Sequence, residues 1–473
     1  MSESNVRTHR FDLSRPTDYL LLAGIMGLMG AFYWAIRGTT GFGGSQGGLL
    51  AGLGWGILWF GFSTRDIAGN RRPYSTPWML AAITFGIAYG GLTGYGVYIA
   101  WLSGNFYLNF PEGVRDIAPW TGYTMLFFCG LHWGGVTGAF MAWCGPNARL
   151  QWWGWLLRFA SGILGALIAL LIVRSFPQWF LPFYTEGIYE VEENRTCIRA
   201  AGSIRNIAPH VGFFFGFLVF EMIRRDWRAV SMMLVMGLGF AIPFTIGGYW
   251  QTFHGASLEI DWWKNWEMTI GLGGGLAFGL AFYLLNRPEI GSPVQMFSAR
   301  SCVIGVGFPI WFASGIVFRN VLKGYNNLHE LGLPDSYQVW FSLLYLIPAT
   351  FLFVLFISKT SGIQSRKAVS LGALIILVIF TIAIYKAPLL YLVPAVILIG
   401  VLAYPSRNSL DHVPVPDWVL IGTLKLIVVV GFVVSIPIPL QFFNKVLLVL
   451  YVIYIVGSLI CLGLLLRRRT LKI

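Results

Sequence analysis

Long apolar runs alternate along the chain with short polar links. Fourteen runs stand out: 17–37, 46–63, 76–102, 118–144, 151–175, 207–224, 229–250, 266–286, 299–318, 337–358, 368–385, 388–403, 416–435 and 443–466. Runs of roughly 18 or more apolar residues match the thickness of a bilayer when helical. Helices are the expected form, because lipid offers no partners for open backbone groups. Strands of a membrane barrel would alternate over about ten residues, and these runs do not alternate. The pair 368–385 and 388–403 is divided only by Tyr385-Lys386-Ala387, and the second holds Pro394, so twelve helices plus a re-entrant segment is the alternative count. The pattern predicts an all-α polytopic integral membrane helix bundle of about 14 transmembrane helices, within a range of 12–14.

Charge then orients the bundle. With an even number of spans both termini share one side, and with the N-terminus in the cytoplasm the inner segments hold 22 basic and 9 acidic residues. The outer segments hold 11 of each, so the whole +13 lies inside. This is the positive-inside pattern, and it predicts cytoplasmic N- and C-termini. A basic excess sorted in this way reads as topology and as attraction to anionic lipid at the cytoplasmic face. No nucleic-acid partner is expected. The segment before residue 17 is too polar for a cleaved leader, so the first run is read as a retained anchor. A bacterial cytoplasmic (inner) membrane is the expected location.

Composition divides the chain near residue 300. Residues 1–300 hold 45 of the 57 glycines and 17 of the 20 tryptophans. The expected organisation is a cytoplasmic segment 1–16, a Gly/Trp-rich eight-helix domain 17–298, a six-helix Leu/Ile/Val-rich domain 299–466 and a basic tail 467–473. Glycines recur every fourth position in several runs: Gly44/48/52/56, Gly86/90/94, Gly130/134/138 and Gly271/275/279, with Ala208/Gly212/Gly216. Such stripes admit a neighbouring backbone closely, and they read either as helix packing or as a hairpin unit repeated four times. The five cysteines show no metal-ligand spacing, and Cys197 alone falls outside the apolar runs, in the outer loop that also carries the Asn194-Arg195-Thr196 sequon. No metal or cofactor is expected.

Ionisable groups at bilayer depth are costly and mark candidate sites. His132 sits mid-run in Gly130-Leu131-His132-Trp133-Gly134-Gly135. It reads as a substrate or proton group with Trp133 beside it, or as a core histidine bonded to a backbone carbonyl or a threonine. Arg37 ends the first run, ahead of the glycine-rich stretch 38–48, a combination suited to a phosphate or carboxylate. That stretch lacks the lysine pattern of an ATP-type loop. His254, Asp261 and Glu267 share a tryptophan-rich outer loop suited to a sugar or cation, where tryptophans also serve as interfacial anchors. His210 is placed near the outer end of the sixth run. Asn105, Glu112, Arg115 and Asp116 form an alternative outer-face cleft. Inner charges read as structural: Glu221 faces Arg224 and Arg225 across one helical turn, and Arg158 and Lys425 are expected to snorkel.

Two segments resemble family motifs. The inner loop 61–72, with Gly61, Asp66, Gly69 and Arg71/Arg72, is similar to the Gly/Asp/Gly/Arg loop of major-facilitator carriers, with spacings about one residue longer. It implies a carrier. Gly104-Asn105-Phe106, Asn109, Glu112-Gly113 and Arg115 are similar in content, and not in spacing, to the signature of prolipoprotein diacylglyceryl transferases, whose chains are far shorter; that resemblance is set aside. The leading expectation is a secondary, ion-coupled or passive, transporter of a polar, anionic or sugar-like small solute. The alternatives are a membrane-embedded transferase acting on a lipid-linked or sugar substrate at the outer face, and a structural subunit of a membrane complex.

Overall fold

The computed structural model describes residues 13, 15–39, 44–63, 70–146, 150–253 and 260–293, with scattered positions between 301 and 334 and between 449 and 465. The expected six-helix domain 299–466 and the tail 467–473 therefore lie almost wholly outside the described residues.

The described chain is mostly helical, and the all-α class stands. Its helices are α1 (Pro16–Thr39), α2 (Gly44–Ser63), α3 (Trp78–Gly90), α4 (Ile99–Leu102), α5 (Trp120–Ala142), α6 (Trp152–Ser175), α7 (Arg195–Ile223), α8 (Trp227–Gly247) and α9 (Trp262–Leu285). Six among the described residues are long and apolar enough to cross a membrane: α1, α5, α6, α7, α8 and α9. α2, at 20 residues, is not among these six. The chain is a membrane-embedded helical protein.

The glycine stripes seam the helices into antiparallel pairs. Along α2, Gly48, Gly52 and Gly56 face the backbone of Ile87, Ile83 and Leu80 on α3. Along α5, Gly130, Gly134 and Gly138 face Ala241, Met236 and Met232 on α8. Gly212 and Gly216 of α7 face Gly165 and Ser161 of α6, and Gly271, Gly275 and Gly279 of α9 face Gly30, Met26 and Ala23 of α1. A Cβ built on Gly52 would stand 2.8 Å from the Ile83 carbonyl oxygen, so the seam excludes even alanine. Close backbone packing of this kind is what holds helices together where lipid removes the hydrophobic driving force. The stripes thus serve close helix packing.

Aromatic side chains fill the space between seams. Trp34, Trp55, Trp133, Phe240 and Phe244 form one cluster, in which Trp34 stands 5.0 Å from Trp133 and 6.0 Å from Trp55. Their indoles also satisfy backbone carbonyls: Trp55 Nε1 donates to Met26 O at 3.0 Å and Trp59 Nε1 to Tyr74 O at 3.1 Å.

At one end of the bundle two links are clasped together. β1 (Asn70–Arg71) pairs antiparallel with β4 (Glu289–Pro293), which brings the α2–α3 and post-α9 links to one side. Arg72 is buried there, donating through Nη1 to Asn286 O at 2.7 Å and to Tyr19 Oη at 3.3 Å. Arg158 departs from the snorkelling expectation. It is 0% exposed, and its Nε pairs with Glu221 at 2.7 Å. Trp143 and Trp155 flank its guanidinium at 5.0 and 4.4 Å. Glu221 lies 63 positions further along the chain, so helix-face spacing pairs it with Arg224 and cannot reveal this partner. Lys425 lies outside the described residues.

Candidate functional site

The third apolar run, read as one span over 76–102, is not one helix. α3 has 13 residues, about 20 Å at the usual rise, whereas α5 beside it has 23 residues, about 35 Å. Gly86 lies against Thr137 and Gly90 against Trp133, so α3 stops at the level of the middle of α5. From there the chain continues as turns, a short 3-10 turn at Gly96–Tyr98 and the single turn of α4, reaching Gly122 in the first turn of α5. Hydropathy missed this because Gly90, Gly91, Gly94 and Gly96 are neutral on an apolar scale, while each glycine weakens a helix by about 1 kcal/mol relative to alanine.

Irregular backbone at membrane depth persists only when its polar groups find partners inside the protein. Here they do. Trp133 Nε1 donates to Ile87 O at 2.8 Å. Gly91 N donates to Ala88 O and Leu92 N to Tyr89 O, both at 3.1 Å. Thr93 supplies Gly90 O twice, from its N–H at 3.3 Å and its hydroxyl at 3.0 Å. All four terminal carbonyls of α3 are accounted for. The first residue of α2 meets the same break: Gly44, with φ +63°, a left-handed value that glycine takes freely, lies against Gly91. The positive end of one helix thus adjoins the negative end of another.

His132 sits beside this break. Its Nδ1 is 2.9 Å from Phe128 O and its Nε2 is 3.0 Å from Thr93 Oγ1, with the side chain fully buried. Both bonds expected of a core histidine, to a carbonyl and to a threonine, are present. His210 joins it, with ring centroids 5.5 Å apart, and Tyr89 of α3 lies 4.8 Å from His210. Sequence reading placed His210 near the outer end of its helix. It is mid-helix, because α7 begins at Arg195, well before the apolar run. The early turns of α7 were hidden by Arg199 and Arg205, which are exposed while Cys197, Ala200, Ala201 and Ile204 are buried. Arg199, Gly202, Asn206 and His210 recur at helical spacing along one side of α7, the first three exposed and His210 half-buried.

The remaining candidates are placed as follows. Trp133 is fully buried and acts through its indole on the α3 terminus. Glu267 is buried on α9 and pairs at 2.5 Å with Lys264, whose Nζ also donates to Ala35 O at 3.1 Å. This places the pair against α1. Asp261 caps α9, accepting from Lys264 N at 3.0 Å. The Arg37 backbone is in the last turn of α1, and its side chain, like all of His254, lies outside the described residues.

Asn105, Glu112, Arg115 and Asp116 belong to a hairpin of β2 (Asn105–Asn109) and β3 (Glu112–Asp116). Arg115 pairs with Glu186 and lies 5.1 Å over the Phe183 ring. The hairpin docks on the first turn of α7, where Phe110 N donates to Thr196 Oγ1 at 2.9 Å. Cys197, expected in a loop, is buried in that helix. Among the described residues no hydrogen bond or ion pair joins these four residues to Asp261, and no cluster of His, Cys, Asp or Glu suits a metal ion. No protein-family model, curated protein or solved structure matches this chain.

Proposed function

We propose that the protein is a secondary transporter, ion-coupled or passive, of a polar small solute of anionic or sugar-like character. The observation that carries this reading is the interrupted third span, whose half-helix ends beside His132, His210 and Tyr89 at the mid-level of α5. Discontinuous helices at mid-depth are the usual way transporters build a binding site, with helix ends turned toward substrate and coupling ion. The α2 start at Gly44 and the exposed Arg199 and Arg205 on the outer half of α7 favour an anionic group. His132 and His210 stand together; Glu267 is engaged by Lys264, and the Arg37 side chain is not described.

The full chain is read as about 14 spans, within a range of 12–14, in a bacterial inner membrane, with both termini cytoplasmic and the inner face attracting anionic lipid. The charge asymmetry supports this, as do the antiparallel seams and the β1–β4 clasp, which joins two links assigned to the same side.

The test is uptake into proteoliposomes of radiolabelled phosphate, succinate and glucose. Wild type is expected to accumulate at least one above empty vesicles, with His210→Ala and His132→Ala losing most of it. Undiminished uptake by both variants would remove the histidines from the path. No uptake of any probe under outward or inward gradients would count against transport.

A further inference from the structure

A groove between α1, α8 and α9 takes no part in the histidine site. Its volume is about 700 Å³, within the roughly 300–1,000 Å³ of small-molecule sites. The walls are apolar: Leu20 and Ala23 of α1, Leu238 and Ile242 of α8, and Leu276 and Leu280 of α9. Leu20 is 70% exposed, and Leu238, Ile242, Leu276 and Leu280 are exposed too, so the groove opens sideways. Along α9 it runs from Gly273 to Tyr283, about 15 Å at the usual rise. A trough of this kind in a membrane domain suits a hydrocarbon chain lying along the helices, and offers a polar solute nothing.

One end of the groove differs. There the lining becomes Tyr19 and Tyr283, whose rings meet edge to face at 5.1 Å. Three arginines surround these rings. Arg287 lies over the Tyr283 ring at 4.4 Å, and its Nε donates to Tyr283 O at 3.1 Å. Arg15 directly precedes Pro16, a lining residue, and stands one turn before Tyr19. Arg72 reaches Tyr19 Oη at 3.3 Å from inside the protein. Arg15 and Arg287 are exposed and Arg72 is buried, and no described carboxylate lies within ion-pair distance of any of the three guanidinium groups. The nearby acids are engaged elsewhere: Glu289 with Arg228 at 3.4 Å, and Asp18 with the Arg15 N–H at 3.2 Å. Arginine does not shed its charge, so this end of the groove carries an unopposed positive field.

An apolar trough ending at unopposed arginines is complementary to an anion joined to a hydrocarbon chain. In a bilayer that molecule is an anionic phospholipid, and basic pockets between membrane helices take such headgroups. Free phosphate would leave the trough unfilled, and a zwitterionic lipid brings its own cation to the arginines.

We propose that the groove between α1, α8 and α9 binds one acyl chain of an anionic phospholipid whose phosphate is held by Arg15 and Arg287, with Arg72 behind Tyr19 adding to the field. The site deepens the reading that one face of the protein attracts anionic lipid, and it rests on no assignment of the solute.

The test is native mass spectrometry of the full chain in detergent, incubated with equal amounts of dioleoyl phosphatidylglycerol and dioleoyl phosphatidylcholine. Wild type is expected to retain one phosphatidylglycerol in preference. A basic residue near anionic lipid is worth about fivefold in affinity, so the combined Arg15→Gln, Arg287→Gln variant should lower the preference by about 25-fold. Both arginines are exposed, so their loss spares the core. Arg174→Gln, at an exposed arginine of α6 that does not line the groove, should change nothing. Leu238→Trp enlarges an exposed side chain of the groove wall and should remove most retention of both lipids. Equal retention of the two lipids by wild type, or a preference that survives the double substitution, overturns the headgroup site. Retention unchanged by Leu238→Trp overturns the groove. A chain that holds no lipid and forms a dimer split by Leu238→Trp would give the groove to a second copy and overturn the proposal. These readouts need neither solute movement nor a known membrane side, so their failure is distinct from that of the transport reading.

Discussion

The pair formed by Arg158 and Glu221 permits a worked energetic prediction. Each side chain is at most 1% exposed, and Arg158 Nε lies 2.7 Å from Glu221 Oε1. The same carboxylate accepts from Arg224 Nη1 at 2.6 Å and from Trp143 Nε1 at 3.2 Å. Glu221→Gln keeps the shape and the acceptor oxygen but leaves the Arg158 charge unopposed among Trp143, Trp155 and Phe220. Removing one partner of a buried pair costs about 3–5 kcal/mol. Arg224 is 22% exposed and can turn to water or toward Asp226, 4.0 Å away, so Arg224→Gln should cost about 0.5–1 kcal/mol. The combined Arg158→Met, Glu221→Leu variant removes both buried charges. It should recover to within about 1 kcal/mol of wild type. Helicity followed through an SDS titration of the protein in mixed micelles measures all three. If Glu221→Gln costs no more than Arg224→Gln, the buried-charge argument is wrong.

Four further outcomes follow from the same geometry. Gly52→Ala and Gly138→Ala bring a Cβ to 2.8 Å of Ile83 O and 2.7 Å of Met232 O, so each should cost about 1–3 kcal/mol in detergent thermal unfolding. Gly202→Ala, with nothing within 4 Å, should cost nothing measurable in the same assay. Asp261→Ala removes the cap of α9 and should cost about 1 kcal/mol, leaving uptake intact if its role is structural. Arg115→Ala breaks a pair whose members are 35% and 47% exposed, and its effect on unfolding should stay below about 1 kcal/mol.

Helix positions were largely legible because apolar runs and their charged boundaries reflect what lipid tolerates. Two errors have the same origin. Hydropathy averages cannot tell a glycine that packs in a seam, such as Gly86, from one that ends a helix, such as Gly90. They also discard an amphipathic extension whose exposed face carries arginines, as in the first turns of α7. At the candidate site, His132 was visible as a lone ionisable group at depth. Thr93 was not, since a threonine in an apolar run carries no such mark, and its link to His132 spans 39 positions. The buried Arg158 partner of Glu221 was likewise set by the pairing of α6 with α7, which a single sequence does not display.

The break in the third span and the polar site beside it are one construction. A helix that stops inside a bilayer leaves carbonyls that lipid cannot satisfy, so each needs a donor from the protein. The middle of α5 supplies Trp133 Nε1 to Ile87 O; the link after α3 supplies Gly91 N, Leu92 N and Thr93. A side-chain donor that can rotate is the least specific way to satisfy a carbonyl, and the Thr93 hydroxyl is the one such donor on these four groups. Its second role, toward His132 Nε2, follows from its position at the break. A valine there would leave Gly90 O with only the 3.3 Å bond from the Thr93 position's own N–H and His132 Nε2 with no partner, so the two losses occur together. The chain's only described mid-depth interruption of a span is therefore held by the same atom that engages the buried histidine, and a change to either one is felt by both.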